Sequence, residues 1–287
     1  MLIINQIGEI MFINIKQVKS NFKNEFEIHI KGQDGNMMCI ASTPWLQMDL
    51  PFNLENLRKL YFRDINGNII YSSNYEYLEN TLEEIIPFKY IFTGEQKFCQ
   101  MSIYDTRNNE CGRFYTKVNG ITDSKLCILY GNEEFIGYDY AKGSTRHISF
   151  YKGDFQVAQL IKTLSVIDNL DEYYLFILDE YDYLKAILAF CTIYIDYCNY
   201  RNSGEISKGK YELKREYTYS KNNNYYNPKW ILDNFGEEEL LKINENIEEQ
   251  EKKIKRQISK VLKIIGIIWG GIFVFGIILF IIIQKII

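Results

Sequence analysis

The chain has 287 residues, a net charge of −4, 47% hydrophobic residues and 15% aromatic residues. That length makes one large domain or two small ones, and the apolar share supplies a sizeable core. The slight acidic balance excludes a globally basic nucleic-acid binder, and no nucleic-acid partner is expected. With only two histidines, His29 and His147, and six cysteines of which no pair is spaced as CxxC, no metal site is expected. The thiols read as reduced packing residues.

The opening segment, MLIINQIGEIMFINIKQVK, lacks a basic stretch, and Glu9 interrupts its apolar run, so a cleaved signal peptide is not expected. No Asn lies in an N-x-S/T sequon, which fits a compartment without glycosylation machinery or a bacterial source. From residue 25 onward the pattern has a period of two. EFEIHIKG (25–32) and KLYFRDINGNIIYSS (59–73) alternate apolar and polar side chains, and Asn66-Gly67 divides the second into a hairpin. The form repeats over 97–118 with a turn at Asn108-Asn109, over 125–143 with a turn at Gly131-Asn132, and over 146–164 with a turn at Lys152-Gly153. One further strand opens 172–187. Strand, tight turn and strand recurring in this way predict an antiparallel meander, as a barrel or a sandwich.

After Asp182 the alternation stops. LKAILAFCTIYIDYCNY (184–200) is almost continuously apolar, with Lys185 and Asp196 its only charges. It is too long for an ordinary strand, and the uncharged stretch between its two charges is too short for a comfortable span. A helix that is apolar on every side must be buried in protein or in lipid; a span here would need a hairpin through the membrane with the C-terminal segment, so a core helix over about 183–198 is predicted. Cys191 and Cys198 read as packing residues of that helix.

Strands wrapped about one apolar helix carry a resemblance. SIYDTRNNECGRF (102–114), EFIGYDY (134–140), FQVAQL (155–160) and DEYYLFILDEYDYLKAILAFCTIYID (171–196) resemble, in order and spacing, the tubby C-terminal-like superfamily, which includes the LURP-one-related proteins and the phospholipid scramblases. About 100 residues are similar; residues 25–96 fit more loosely, and 201–287 lie outside the domain. The resemblance implies a mainly β fold: a closed antiparallel β-barrel over 1–200 around a central buried hydrophobic helix. Tubby proteins proper bind phosphoinositide headgroups through basic residues on the barrel, which implies Lys142, Arg146 and Lys152 as candidates if they meet on one rim. The acylation and calcium binding associated with scramblases are not carried over, because the chain lacks an N-terminal cysteine cluster and an acidic loop after the helix.

Residues 201–235 are polar, with an Asn run and Pro228, and read as a linker with one strand near 210–219. Residues 236–263 form a charged juxtamembrane helix, acidic early and basic late as the helix dipole favours. Leu240, Ile243, Ile247, Ile254 and Val261 leave two readings open: a short coiled-coil stalk, or a charged helix lying across the domain. Residues 264–283, IIGIIWGGIFVFGIILFIII, contain no charge and at 1.5 Å per residue span about 30 Å, so a transmembrane tail anchor is predicted. Lys252, Lys253, Lys255, Arg256, Lys260 and Lys263 precede it and Lys285 follows, which puts the large N-terminal part in the cytosol. The same basic cluster could touch anionic headgroups. Gly266 and Gly270 form a GxxxG that could pack two spans into a homo-oligomer.

No GxSxG, P-loop, GxGxxG or HExxH is present. Asp179, Glu180 and Asp182 read as a solvated helix start with Asp182 as N-cap. The expectation is a non-enzymatic, cofactor-free, tail-anchored membrane protein whose barrel contacts lipid headgroups or a membrane partner. The alternatives are lipid translocation of the scramblase kind and a scaffold that self-associates through its stalk and span.

Overall fold

The computed structural model describes residues 11–19, 23–31, 37–44, 59–64, 66–168, 170–199 and 211–286. The opening residues 1–10 and the first part of the expected linker, 201–210, lie outside these. The first strands are β1 (Met11–Lys19), β2 (Lys23–Lys31), β3 (Met37–Pro44), β4 (Leu60–Asp64) and β5 (Ile69–Tyr75). Helices α1 (Tyr77–Ile85) and α2 (Tyr90–Thr93) follow. Next come β6 (Gln96–Tyr104), β7 (Glu110–Gly120), β8 (Asp123–Tyr130), β9 (Glu133–Gly143), β10 (Thr145–Lys152), β11 (Phe155–Thr163), β12 (Val166–Ile167) and β13 (Glu172–Ile177). A 3-10 turn, Asp179–Leu184, leads into α3 (Lys185–Asn199); then come β14 (Tyr211–Glu212), β15 (Glu216–Tyr217), α4 (Trp230–Phe235) and α5 (Glu237–Ile286).

The fold is mainly β, with one large antiparallel sheet and a long C-terminal helix. Thirteen strands follow the order β10-β11-β13-β1-β2-β3-β4-β5-β6-β7-β8-β9-β15, and β9 also pairs with β10. The hairpins fall where the turn residues put them. Asn108 (φ 61°) and the glycines 67 (φ 86°), 131 (φ 59°) and 153 (φ 58°) supply the left-handed conformations that tight β-turns require. Two turns share one device: Asp64 Oδ1 accepts from the backbone N–H of Asn66 and Asn68, and Asp105 Oδ1 accepts from those of Arg107 and Asn109.

The core is built around α3. Residues Ile187 to Tyr197 are all buried, so the long apolar run is an interior helix of the β-domain. Inward side chains of many strands, among them Ile13, Phe62, Phe114, Phe135, Phe150 and Leu175, form one cluster with it. Phe190 lies parallel to Tyr71 at 6.1 Å and meets Phe114 edge-on at 5.6 Å. Asp182, expected as the N-cap, instead accepts from the Lys185 ammonium at 3.1 Å.

The outer face of β1, β11 and β13 carries a second cluster. Phe12, Ile161, Tyr174 and Phe176 pack against Trp230, Ile231 and Phe235 of α4 and against Ile243 and Ile247 of α5. β13 is therefore apolar on both faces, with Tyr173, Leu175 and Ile177 turned inward and Tyr174 and Phe176 outward. One sequence expectation changes here, and one pair of open readings is narrowed. Residues 211–235 are packed structure: β14 pairs with β12, β15 pairs with β9, and Asn222 is buried while donating to the Ser124 carbonyl at 2.8 Å. Of the two readings left open for the helix before the span, its first half takes the second, lying across the domain and not standing as a coiled-coil stalk. Ile243, Ile247 and Ile254 are buried in this same chain, so the stripe that could have formed a heptad seam is occupied by the sheet and its neighbours.

Candidate functional site: one rim of the sheet

The strand registers define two ends. Lys142 pairs with Thr145, Thr145 with Thr163, Lys162 with Tyr173, Gly120 with Asp123, and Gln96 with Val118. The β9–β10 turn, the β7–β8 turn, the start of β6 and the start of β13 therefore share one end of the sheet, called the rim below. The C-terminal end of α3 emerges there. The N-terminal end of α3 lies at the far end, where the Tyr183 hydroxyl donates to Glu133 Oε2 at 2.7 Å.

A cavity of about 270 Å³ opens at the rim between β7, β8, β9, β10 and the last turn of α3. Asp139, Arg146, Lys125, Tyr194 and Cys198 are among its lining residues. Arg146 is spent on acids: Nη1 donates to Asp139 Oδ2 at 2.7 Å and Nη2 pairs with Glu216. Burial pushes the Asp139 carboxyl up to about 6 against the pull of Arg146. Among the described residues, the buried Asp139 Oδ1 has no hydrogen-bond partner, so one carboxylate oxygen is left for a donor in the cavity.

A second polar group sits by the same end of α3, where sequence reasoning identified nothing. Lys162 and Asp171 form a buried ion pair, and the Tyr173 hydroxyl donates to Asp196 Oδ1 at 2.6 Å. Burial first, and the neighbouring Asp171 charge second, push Asp196 up to about 8. Asp196 was visible in sequence only as a charge closing an apolar run. Its partners come from β11 and β13 and could not be read from that position.

The three candidate headgroup cations do not meet. Lys142 is exposed at the rim, and Arg146 is next to it but neutralised by two acids. Lys152 lies at the other end of β10, roughly 20 Å along the strand, paired with Glu133. His147 is a packed residue on the outer face: Gln159 Nε2 lies 3.2 Å from Nδ1 and Thr145 Oγ1 lies 3.1 Å from Nε2. Tyr226 covers the ring at 4.8 Å, and burial lowers its pKa to about 4.

The basic cluster before the span divides in two. Lys252, Lys253 and Lys255 pair with Glu248, Glu249 and Glu251 one turn earlier, at 3.4, 3.2 and 3.0 Å. Arg256, Lys260 and Lys263 are exposed, fall at helical spacing on one face, and have no ion pair among the described residues. Beyond them α5 is long and apolar enough to cross a membrane, and none of that apolar stretch is buried. A Cβ at Gly266 or Gly270 would meet nothing within 4 Å.

Among the described residues no group of three His, Cys, Asp or Glu side chains converges to hold a metal. No family model, curated protein or solved structure matches the chain.

Proposed function

We propose that residues 264–283 cross a membrane once and hold the β-domain beside that membrane on its cytosolic side, where the domain contacts lipid or a membrane-bound partner. The observation that carries this reading is the single uninterrupted α5. Its first turns are packed on the sheet through Ile243 and Ile247, and its described turns from Ile264 to Ile277 are an exposed apolar rod. Such a rod is costly in water and at home in hydrocarbon. The excess of cations on the domain side of the rod supports the cytosolic orientation, and the stripe Arg256, Lys260 and Lys263 lies where headgroups would meet it.

The domain itself is read as a tubby-like barrel. The β9–β10 ladder returns the sheet order to its starting strand and leaves β15, and the separate pair β12 and β14, outside the ring. Closure removes the open edges that would otherwise invite pairing with another chain. The barrel encloses α3, which supports a binding domain over a translocating one, since a helix engaged on all sides by its own strands has no face to offer to lipid. The contact function requires no chemistry, and the domain acts without catalysis. Tethering raises the local concentration of a surface partner, so weak contacts suffice.

Protease added outside sealed vesicles that carry the full chain tests the topology. The expected result is digestion of the β-domain down to a small membrane-protected fragment beginning near residue 260. A protected β-domain, or loss of the 264–283 fragment from intact vesicles, overturns the reading.

A further inference from the structure

Helix α1 is mounted inside out. Its buried residue is Asn80, whose amide donates to the carbonyls of Glu76 and Gln100 at 2.8 and 3.0 Å while its Oδ1 accepts from the Gln100 N–H. Apart from Tyr77, which packs against the core, its apolar side chains point away: Leu82 is 58% exposed and Ile85 is 65% exposed. The exposed apolar surface continues through Phe88, Ile91 and Phe92, the last 82% exposed, and the nearby turn after β7 adds Ile121 at 92%. Asn119 beside that turn donates to the Gly94 carbonyl at 3.1 Å, which ties the β7–β8 turn to the end of α2. Together these six side chains expose roughly several hundred Å² of apolar surface, the size range of the largest and often functional patch on a monomeric protein.

The location of the patch identifies its occupant. α5 climbs the outer face of the sheet in the direction of the rim: Phe235, just before it, meets Phe176 at 5.1 Å, and further along Glu251 lies 3.9 Å from Arg215, between β14 and β15. β15 pairs with the last residues of β9, so Glu251 has reached the rim, and α5 continues past it. The rim is thus the end of the domain from which the apolar rod departs, and it is the end that bears α2 and Ile121. From Ile254 to Ile264 the helix rises only about 15 Å. The charges around the patch are mostly satisfied by one another, Lys89 by Glu83 at 2.9 Å and Lys117 by Glu95, so the surface is apolar with little net field.

We infer that the rim patch formed by α1, α2 and the β7–β8 turn is a second membrane contact, with Phe88, Ile91, Phe92 and Ile121 seated in the interfacial layer of the bilayer that α5 crosses. The inference rests on the reading of α5 as the span. Apolar side chains at a membrane surface insert below the headgroups, and the neutral surround makes this contact indifferent to lipid charge. In the proposed ring β13 and β6 stand half a turn apart, so α5 and the patch attach the domain at opposite sides.

The test places one fluorophore at a time in the full chain with its native cysteines changed to Ala, on Ile121→Cys at the rim, Asp154→Cys in the far-end β10–β11 turn, and Ile272→Cys in the span, reconstituted in phosphatidylcholine vesicles containing spin-labelled lipid. The expected result is that Ile121→Cys and Ile272→Cys lose most of their emission and Asp154→Cys keeps its own. Adding phosphatidylserine leaves this unchanged, and Phe92→Asp releases the quenching at Ile121→Cys. Quenching at Ile272→Cys with none at Ile121→Cys overturns the contact while leaving the anchor standing. No quenching at Ile272→Cys overturns the anchor itself. Crosslinking of Ile121→Cys between copies without lipid quenching assigns the patch to a second chain and also overturns the proposal.

Discussion

Two apolar helical runs of similar length, α3 and the segment 264–283, end in opposite surroundings. Every residue from Ile187 to Tyr197 is buried, whereas Ile267 and Phe273 are 74% and 70% exposed. The C-terminal run is the more hydrophobic of the two, and the polar atoms of α3 account for the difference. α3 carries Tyr194, whose hydroxyl donates to the Cys99 carbonyl at 3.0 Å, Thr192, which donates back to Leu188, and Asp196, which accepts from Tyr173. A protein interior offers specific partners to such groups, and hydrocarbon offers none. The C-terminal run has only aliphatic residues, glycines, phenylalanines and one Trp, so the Trp269 indole N–H, near the interface end, is its one side-chain polar group.

Several substitutions would break or sharpen this contrast. The largest effect is expected for Phe190→Ala, which empties the aromatic cage formed with Tyr71 and Phe114 and costs about 3–5 kcal/mol. Phe273→Ala should leave denaturant unfolding of the β-domain unchanged, and equal effects at the two sites would erase the distinction. Next is Ile254→Ala, at a position fully buried before the rod begins. A loss of about 2–5 kcal/mol is expected, read as faster proteolysis within 211–236.

The third concerns pH. Asp196 is raised to about 8 by burial, so the folded state holds its proton more tightly than the unfolded chain does. Its contribution is complete below the unfolded value and is lost as pH rises toward 8. Asp196→Asn should flatten the fall of Tm on going from acid to mildly alkaline pH. His147 acts with the opposite sign. Its pKa is lowered to about 4, so stability present above the unfolded value near 6.5 is lost as pH falls through that window, and His147→Gln should blunt the acid limb of the same Tm profile. The smallest effect belongs to Arg256, Lys260 and Lys263. Changing each to Gln should weaken contact with anionic lipid by about 1 kcal/mol per residue, measured as reduced salt-sensitive protection of the helix in vesicles.

Much of the architecture was legible because it rests on local rules. The Asn66-Gly67, Gly131-Asn132 and Lys152-Gly153 turns follow from φ preference, and the interior position of α3 follows from its having no polar side. What escaped depends on pairs distant in sequence. Trp230 and Ile231 look like residues of a polar linker until Phe176 and Ile161 are known to need covering. Arg146 looks like a free cation until Glu216, 70 residues away, is placed against it. Lys152 looks like its neighbour until β10 is seen to hold the two at opposite ends.

The join between the sheet and the apolar rod is a single stiff helix. No proline or glycine interrupts α5 between Glu237 and Lys263, and Ile243, Ile247 and Ile254 clamp its lower turns. The β-domain therefore has no swivel. If the rod crosses a bilayer, any lean it adopts to match a thinner or thicker hydrocarbon layer becomes a lean of the whole β-domain, and lipid thickness acts on the rim through a lever.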